Sequence, residues 1–573
     1  MAIIDGTAGN DTLSGVSIDS DILRGLGGND TYEWFYDDRF RFIGGGQGIK
    51  FYTEDSVVES ANAGIDTVAL HNRSDIGKTT YTLPANVENA YGNSSDAWIL
   101  NGNTLPNRLT GEDRNDDIDG RDGNDVIDGR GGNDSLLGGI GLDRIFGGAG
   151  ADTMNGGQGS DSLFGGAGRD LAVFDAPTGV RVDLLVTGAQ NTGAGLDLVR
   201  LVEDLRSGTG HDRLLGDNGA NSLDGSAGND SLFGRGGNDV LIGGAGNDLM
   251  LGGSGVDTAL FSGTGATRLD LALATQQNTL HGIDILREIE NVITGAGNDL
   301  IRGNDAANRI TGAAGNDILI GRAGNDTLTG DAGRDRLVGD DGRDLMFGGD
   351  GADVLNGGTE TDTLIGGAGS DLLFAGAGDD VLSGGADADT MIGSGGNDRF
   401  LADGADLMRG DAGNDSFVLT ADAAIARGGA GRDVFLVDAG FQGAQLSGGA
   451  ERDSFIFRRF QPKTDAFSGA DTITDYQRGL NEVIDLSAID PDPVQAGDQD
   501  FVFTAVENVD FQIITNVFGA VTDINATFLQ EGDSIALRAV EENSILMLDT
   551  NGDREVDATI LFLNHTGSIL VEL

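Results

Sequence analysis

Between residues 147 and 174 the chain reads GGAGADTMNGGQGSDSLFGGAGRDLAVF, nearly free of large side chains, with Asp152, Asp161 and Asp170 nine residues apart. Two positions after each aspartate stands Met154, Leu163 or, in the last unit, Ala172. Glycines fill the first, second and fourth places before the aspartate, as at Gly147, Gly148 and Gly150. Glycine enters positive φ without steric cost and lets another backbone come close, so this spacing predicts a tight turn every nine residues. The three residues around each apolar position suffice for a short strand.

The period reaches far beyond this stretch. Aspartates recur every nine residues from 116 to 170, then from 212 to 257 with asparagine at 221, then from 299 to 398 with asparagine at 308. A hard cation such as Ca²⁺ takes six to eight oxygens from carboxylates and backbone carbonyls, and stacked turns with one aspartate each supply such oxygens. The candidate ligands are Asp125, Asp134, Asp143, Asp152, Asp161 and Asp170 in the first block and Asp230, Asp239, Asp248 and Asp257 in the second. In the third they are Asp299, Asp317, Asp326, Asp335, Asp344, Asp353, Asp371, Asp380 and Asp398. Weaker units end at Asp116, whose GEDRND lacks two glycines, and at Asp362 and Asp389, where Glu360 and Asp387 replace a glycine.

Composition sharpens the need for a cation. The 573 residues hold 93 acidic against 36 basic side chains, a net charge of −57, and that much like charge opposes a compact state unless something neutralises it. Acidic, glycine-rich chains commonly stay disordered, but 38% apolar residues in regular register argue against disorder here. The same charge disfavours nucleic acid as a partner, since phosphates would be repelled. With no cysteine, disulfides and thiolate metal sites are excluded. No run of about 18 apolar residues is present, so no transmembrane segment is expected. The opening MAIIDGTAGNDTLSG lacks the basic and apolar regions of a cleavable signal peptide.

The nonapeptide matches GGxGxDxUx, and in it the chain resembles the RTX family of secreted bacterial proteins, which carry hemolysin-type calcium-binding repeats. The resemblance implies an all-β fold: a calcium-bound parallel β-roll in three blocks, two nonapeptides per coil, with ions held between units two apart. On that geometry the chain would bind roughly 15 to 20 Ca²⁺ ions, whose charge offsets much of the net −57.

Two segments between the blocks are copies of each other. Residues 174–221 and 261–308 align without a gap at an offset of 87, VDL at 182 with LDL at 269 and GLDLVRLVEDL at 195 with GIDILREIENV at 282. Their apolar residues, Leu198, Val199, Leu201, Val202 and Leu205 in the first copy, suit a strand or short helix covering the roll. The expected organisation is short repeats over 1–34, a β-rich spacer over 35–106, roll blocks over 107–174, 208–261 and 295–400, inserts over 175–207 and 262–294, degenerate repeats over 401–457 and a C-terminal cap over 458–573. All six prolines fall outside the regular blocks, as a ladder of stacked strands requires.

Residues 467–489, FSGADTITDYQRGLNEVIDLSAI, resemble the start of the C-terminal domain of serralysin-type metalloproteases and related RTX proteins. That resemblance implies a β cap and an uncleaved signal, with the type I secretion machinery as partner and an extracellular destination. In the same region Asp549, Asn551, Asp553 and Asp557 occupy places 1, 3, 5 and 9 of a loop between two apolar strands, a spacing suited to Ca²⁺. Position 12 is Ile560, which rules out an EF-hand.

No enzyme is expected. The four histidines, His71, His211, His281 and His565, form no HExxHxxGxxH zinc motif, and no GxSxG elbow or cysteine nucleophile is present. The reading favours a secreted calcium-binding protein with a structural, adhesive or matrix role toward cell-surface or matrix polysaccharide or protein. The rivals are a membrane-active effector using the aromatic residues from Trp34 to Phe42, and a polysaccharide-acting enzyme.

Overall fold

The computed structural model describes residues 65–72, 78–92, 97–420, 424–437 and 444–457, together with isolated short stretches before and after them. Two compact units are distinguished, residues 1–261 with 273–289 and residues 262–272 with 290–573. Both are built from short β-strands, and no helix occurs among the described residues.

In the first unit the apolar residue two places after each aspartate of the nine-residue series from Asp116 to Asp170 points inward from a strand. Ile127, Ile145 and Leu163 stack in parallel register in one sheet, and Ile118, Leu136 and Met154 in the other. Successive partners are 18 residues apart, so a coil consumes two nonapeptides. These six side chains are at most 2% exposed, and burying an aliphatic side chain contributes about 1.5–3 kcal/mol. Many strands are longer than three residues. Arg144–Ala149 pairs with Ser162–Ala167 through Gly148 opposite Gly166 and Ala149 opposite Ala167, so the turn glycines join the ladder too.

The stack begins before the first nonapeptide block. Thr67–Asn72 pairs in parallel with Asn89–Gly92, which pairs with Arg108–Thr110 and so with Val126–Gly131. Thr79–Thr82, Trp98–Asn101 and Asp117–Asp119 do the same on the other side. Part of the stretch expected as a spacer is therefore additional coils, packed on Val68, Leu70, Trp98 and Leu100. Thr31–Tyr36, which carries Trp34, Phe35 and Tyr36, pairs in parallel with Thr67–Asn72.

Nor do the inserts cover the roll; their strands are layers of it. On one side Leu171–Phe174 pairs directly with Asp204–Ser207. On the other, Ser162–Ala167 pairs with Leu196–Arg200, which is closed by the antiparallel strand Gln190–Asn191. The next sheet opens with Arg181–Asp183, paired to Arg213–Leu215, although this strand precedes that hairpin in the chain. The chain thus lays down the first strand of a new sheet before closing the old one. In the second copy, Ile283–Arg287 and Gln277–Asn278 close a sheet of the first unit, and Arg268–Asp270, paired to Leu300–Arg302, opens one in the second.

The second unit repeats the coil with Leu319, Leu337, Leu355 and Leu373 on one side and Leu328, Met346, Leu364 and Leu382 on the other. Toward its end the core residue becomes phenylalanine. Phe400, Phe417, Phe435 and Phe455 stack with ring centroids 4.7, 4.7 and 4.8 Å apart and planes within 10° of parallel. Beyond Ser454–Phe457 the parallel ladder continues through Val483–Asp485 to Gln512–Ile514. Pairing then turns antiparallel, in Asp500–Thr504 with Ser534–Arg538 and in Ile545–Leu548 with Ala558–Leu561.

Candidate metal centre

Each turn is shaped by its glycines, and the unit ending at Asp143 illustrates how. A β-carbon on Gly138 would lie 2.5 Å from the Gly156 carbonyl oxygen of the next coil and 2.6 Å from Asp143 Oδ2. Gly139 has φ +108°, and a β-carbon there would overlap the Arg121 carbonyl of the coil before. Carbonyl oxygens of one coil thus point at bare α-carbons of its neighbour. Where the second or third glycine is replaced, the backbone keeps its left-handed form, as at Arg121 (+72°), Ser394 (+78°), Glu360 (+73°) and Asp387 (+81°). Such a residue costs about 1 kcal/mol or more, which the surrounding coils must hold in place.

The aspartate ties the coils together. Asp143 Oδ1 accepts the backbone N–H of Asp125 at 2.7 Å, and Asp161 Oδ1 accepts that of Asp143 at 2.8 Å. The same bond recurs from Asp317 to Asp335, from Asp335 to Asp353 and from Asp353 to Asp371, at 2.7–2.8 Å. The second oxygen is different. Oδ2 of Asp125, Asp134, Asp143, Asp152, Asp161 and Asp170 is buried with no hydrogen-bond partner, and so is that of Asp230, Asp239, Asp248 and Asp299. The aspartates from Asp317 to Asp398 repeat this, the sequence-weak Asp362 and Asp389 included, and the structure adds Asp212, Asp415 and Asp433.

A buried polar atom without a partner costs about 1–3 kcal/mol, and more when charged. Burial, reinforced by the like charge of stacked neighbours, pushes the carboxyl of Asp134 up to about 8 and those of Asp125, Asp317 and Asp326 up to about 7. A cation between Oδ2 and the glycine carbonyl that crowds the same spot removes both penalties. No three acidic or histidine side chains converge among the described residues, so the oxygens are one carboxylate per turn plus main-chain carbonyls. That all-oxygen set fits Ca²⁺ and offers none of the nitrogen or sulfur typical of structural zinc.

The sequence model of the RTX calcium-binding nonapeptide repeat matches residues 3–32, 101–136, 137–172, 206–241, 224–259, 293–328, 329–364, 365–400, 388–417 and 400–435, more than half of the chain. The chain belongs to this RTX family. Its repeats are calcium-binding repeats, and its fold is the all-β parallel roll. No curated protein matches the chain.

Three features of these RTX repeats escape a reading of the aspartates alone. The asparagine before the aspartate forms a second ladder, running the opposite way. Asn115 Oδ1 accepts the N–H of Asn133 at 2.8 Å, and Asn133 Oδ1 that of Ala151 at 2.9 Å, each from the coil that follows. The recurring GND triplet is its sequence signal. Next, the inserts contribute stacked acids of their own. Asp197 Oδ1 accepts the N–H of Asp161 at 2.7 Å and Asp284 Oδ1 that of Asp248 at 2.8 Å, each across 36 residues. Their Oδ2 atoms accept the hydroxyls of Thr192 and Thr279, so these two carboxylates already have a donor. Glu203 likewise takes the N–H of Asp170 at 2.8 Å.

Finally, strict spacing is not required. The bonds from Asp398 to Asp415, from Asp415 to Asp433 and from Asp433 to Asp453 span 17, 18 and 20 residues. The spacing changes between stacked aspartates while the stacked positions stay aligned. Asp257 Oδ1 accepts the N–H of Asp239 at 2.8 Å, in line with the other candidates of its block. Asp549, Asn551, Asp553 and Asp557 lie outside the described residues, between the antiparallel strands Ile545–Leu548 and Ala558–Leu561.

Proposed function

We propose that this is a secreted protein with a structural, adhesive or matrix role that folds when it meets Ca²⁺ outside the cell. The observation that carries the reading is the ladder of buried, partnerless Oδ2 atoms, one per turn over most of the roll. The holding groups are these aspartates and the carbonyls of the first glycines. Ca²⁺ supplies the positive charge that lets the carboxylates stay ionised when buried. The chain supplies the rest: glycines keep side chains out of the space between coils, Oδ1 clips each coil to its neighbour, and the aliphatic columns exclude water.

In a cell interior poor in Ca²⁺ the repulsion among 93 acidic residues favours an extended, exportable chain. Outside, ions that bind only the stacked state stabilise it by mass action. The C-terminal segment is assigned to type I secretion and capping, and the roll to blocks over 107–174, 208–261 and 295–400 with inserts over 175–207 and 262–294. No enzymatic activity is assigned, because the carboxylates that could serve as acid or base are used as stacking groups and ligands.

The test is far-UV circular dichroism and hydrodynamic radius of the chain in chelator, then titrated to about 10 mM Ca²⁺ with Mg²⁺ as control. A cooperative, Ca²⁺-specific gain of β signal with compaction is expected. A chain already compact in chelator and indifferent to Ca²⁺ overturns the reading.

A further inference from the structure

Two turns of the roll are built around asparagine, and in both an arginine of the coil that follows reaches back to the turn. Asn221 Oδ1 accepts the N–H of Asp217 at 2.8 Å, and its Nδ2 donates to the Glu203 carbonyl at 2.8 Å. Asn308 does the same with Asn304 and Glu290, also at 2.8 Å. A carboxylate could not make the second bond, so the amide satisfies both its ends without any cation.

The first glycine of each turn is engaged as well. The Gly216 carbonyl accepts Nη1 of Arg235 at 2.7 Å, and the Gly303 carbonyl accepts Nη1 of Arg322 at 2.7 Å. Each guanidinium also forks onto a carboxylate, Arg235 onto Asp183 at 2.7 and 2.8 Å and Arg322 onto Asp270 at 2.8 and 2.7 Å. Register places these groups on three successive layers: Asp183 lies opposite Leu215 and Leu215 opposite Phe233, and Asp270 opposite Arg302 and Arg302 opposite Ile320. Asp183 and Asp270 sit on the strands that open the new sheets after the inserts.

Both arginines stand where the repeat has its second glycine, at φ +79° and +84°. An L-residue is strained there, yet both copies of the duplication keep it. Their side chains are 28% exposed, so the forked pairs are shielded far more than an ordinary surface ion pair.

We propose that Arg235 and Arg322 are built-in cations. Each takes a carboxylate and a first-glycine carbonyl, the kinds of oxygen that Ca²⁺ takes in the other turns, and so anchors the first strand of a new sheet without an ion. The calcium ladder is thereby interrupted at each insert by a calcium-independent clasp. This inference rests on the calcium reading above.

Replacing Arg235 or Arg322 by glycine gives a test whose sign decides. If the arginine were only a strained guest at a glycine position, Arg235→Gly or Arg322→Gly would relieve that strain and lower the Ca²⁺ concentration at the folding midpoint. As a clasp, its loss raises the midpoint to about half again the wild-type value, since the lost ion pair is spread over many ions binding together. An unchanged or lower midpoint overturns the inference. If a glycine variant folds at no Ca²⁺ concentration, the lysine variant at the same position decides. Arg322→Lys keeps the charge and is expected to fold with a midpoint above wild type; its failure to fold would overturn the cation role. A wild-type chain with no Ca²⁺ response at all would instead count against the calcium reading itself.

Discussion

The backbone N–H of Asp125 donates to Oδ1 of Asp143 at 2.7 Å, from one coil to the next. This bond fixes the carboxylate so that Oδ2 faces the space above Gly138, where the Gly156 carbonyl also points. The group that clips the coils therefore also presents a buried oxygen without a partner, and on the proposed function stacking and ion binding are one event.

Asp335→Asn in the middle of the longest run separates the two roles. The amide oxygen can still accept the Asp317 N–H, now at 2.8 Å, but the anionic oxygen is gone. The expected outcome is fewer bound Ca²⁺ ions per chain by equilibrium dialysis and a stability loss of about 2 kcal/mol in saturating Ca²⁺. Asp335→Ala, which removes both oxygens, is expected to cost more than the asparagine variant.

A β-carbon on Gly348 would lie 2.5 Å from the Gly366 carbonyl and 2.6 Å from Asp353 Oδ2, whereas one on Gly395 would meet nothing within 4 Å. Gly348→Ala is expected to destabilise the roll by about 1–3 kcal/mol and to raise its Ca²⁺ midpoint. Gly395→Ala is expected to leave both within error. Equal effects in paired calcium titrations would count against the proposed location of the ions.

In chelator, stability should rise as pH falls. The stacked state pushes Asp125 and Asp317 from 3.8 up to about 7 and Asp134 up to about 8. Between pH 4 and about 7 it therefore binds more protons than the unfolded chain, and folding is favoured as these carboxyls protonate and disfavoured as pH rises through 7. Circular dichroism in chelator is expected to show more β signal at pH 5 than at pH 7.5. In Ca²⁺ the same protons compete with the ion, so fewer Ca²⁺ ions should be bound per folded chain at a given Ca²⁺ concentration as pH falls.

The stacked rings of Phe400, Phe417, Phe435 and Phe455 give the last coils a larger apolar core than the leucine columns before them. Phe417→Ala is expected to cost about 3–5 kcal/mol. Hydrogen exchange should show the loss concentrated between residues 399 and 457. Phe417→Leu, which restores the core residue of the ordinary repeat, is expected to cost less than half as much.

The nine-residue period, the apolar residue two places after each aspartate and the glycines around it are local facts, and from them the coil, its buried column and its ligand type could be read in the sequence. A repeat allows this because every unit meets the same neighbours. Asp362 and Asp389 show the limit of scoring units singly: Glu360 and Asp387 hold the left-handed backbone meant for glycine, and the aspartates stack as their neighbours do.

Where the repeat breaks, sequence distance stops predicting contact. Nothing local reveals that Arg181–Asp183 opens a sheet before Gln190–Asn191 closes the previous one, that Asp197 supports Asp161 across 36 residues, or that Arg235 reaches Asp183 across 52. Those partners are chosen by which layer each strand joins. The sequence by itself determined the coil and its need for cations. The tertiary structure decided where that need is met from within the chain, by a threonine hydroxyl, an asparagine amide or an arginine, because only the stacking of layers brings such distant side chains to one turn.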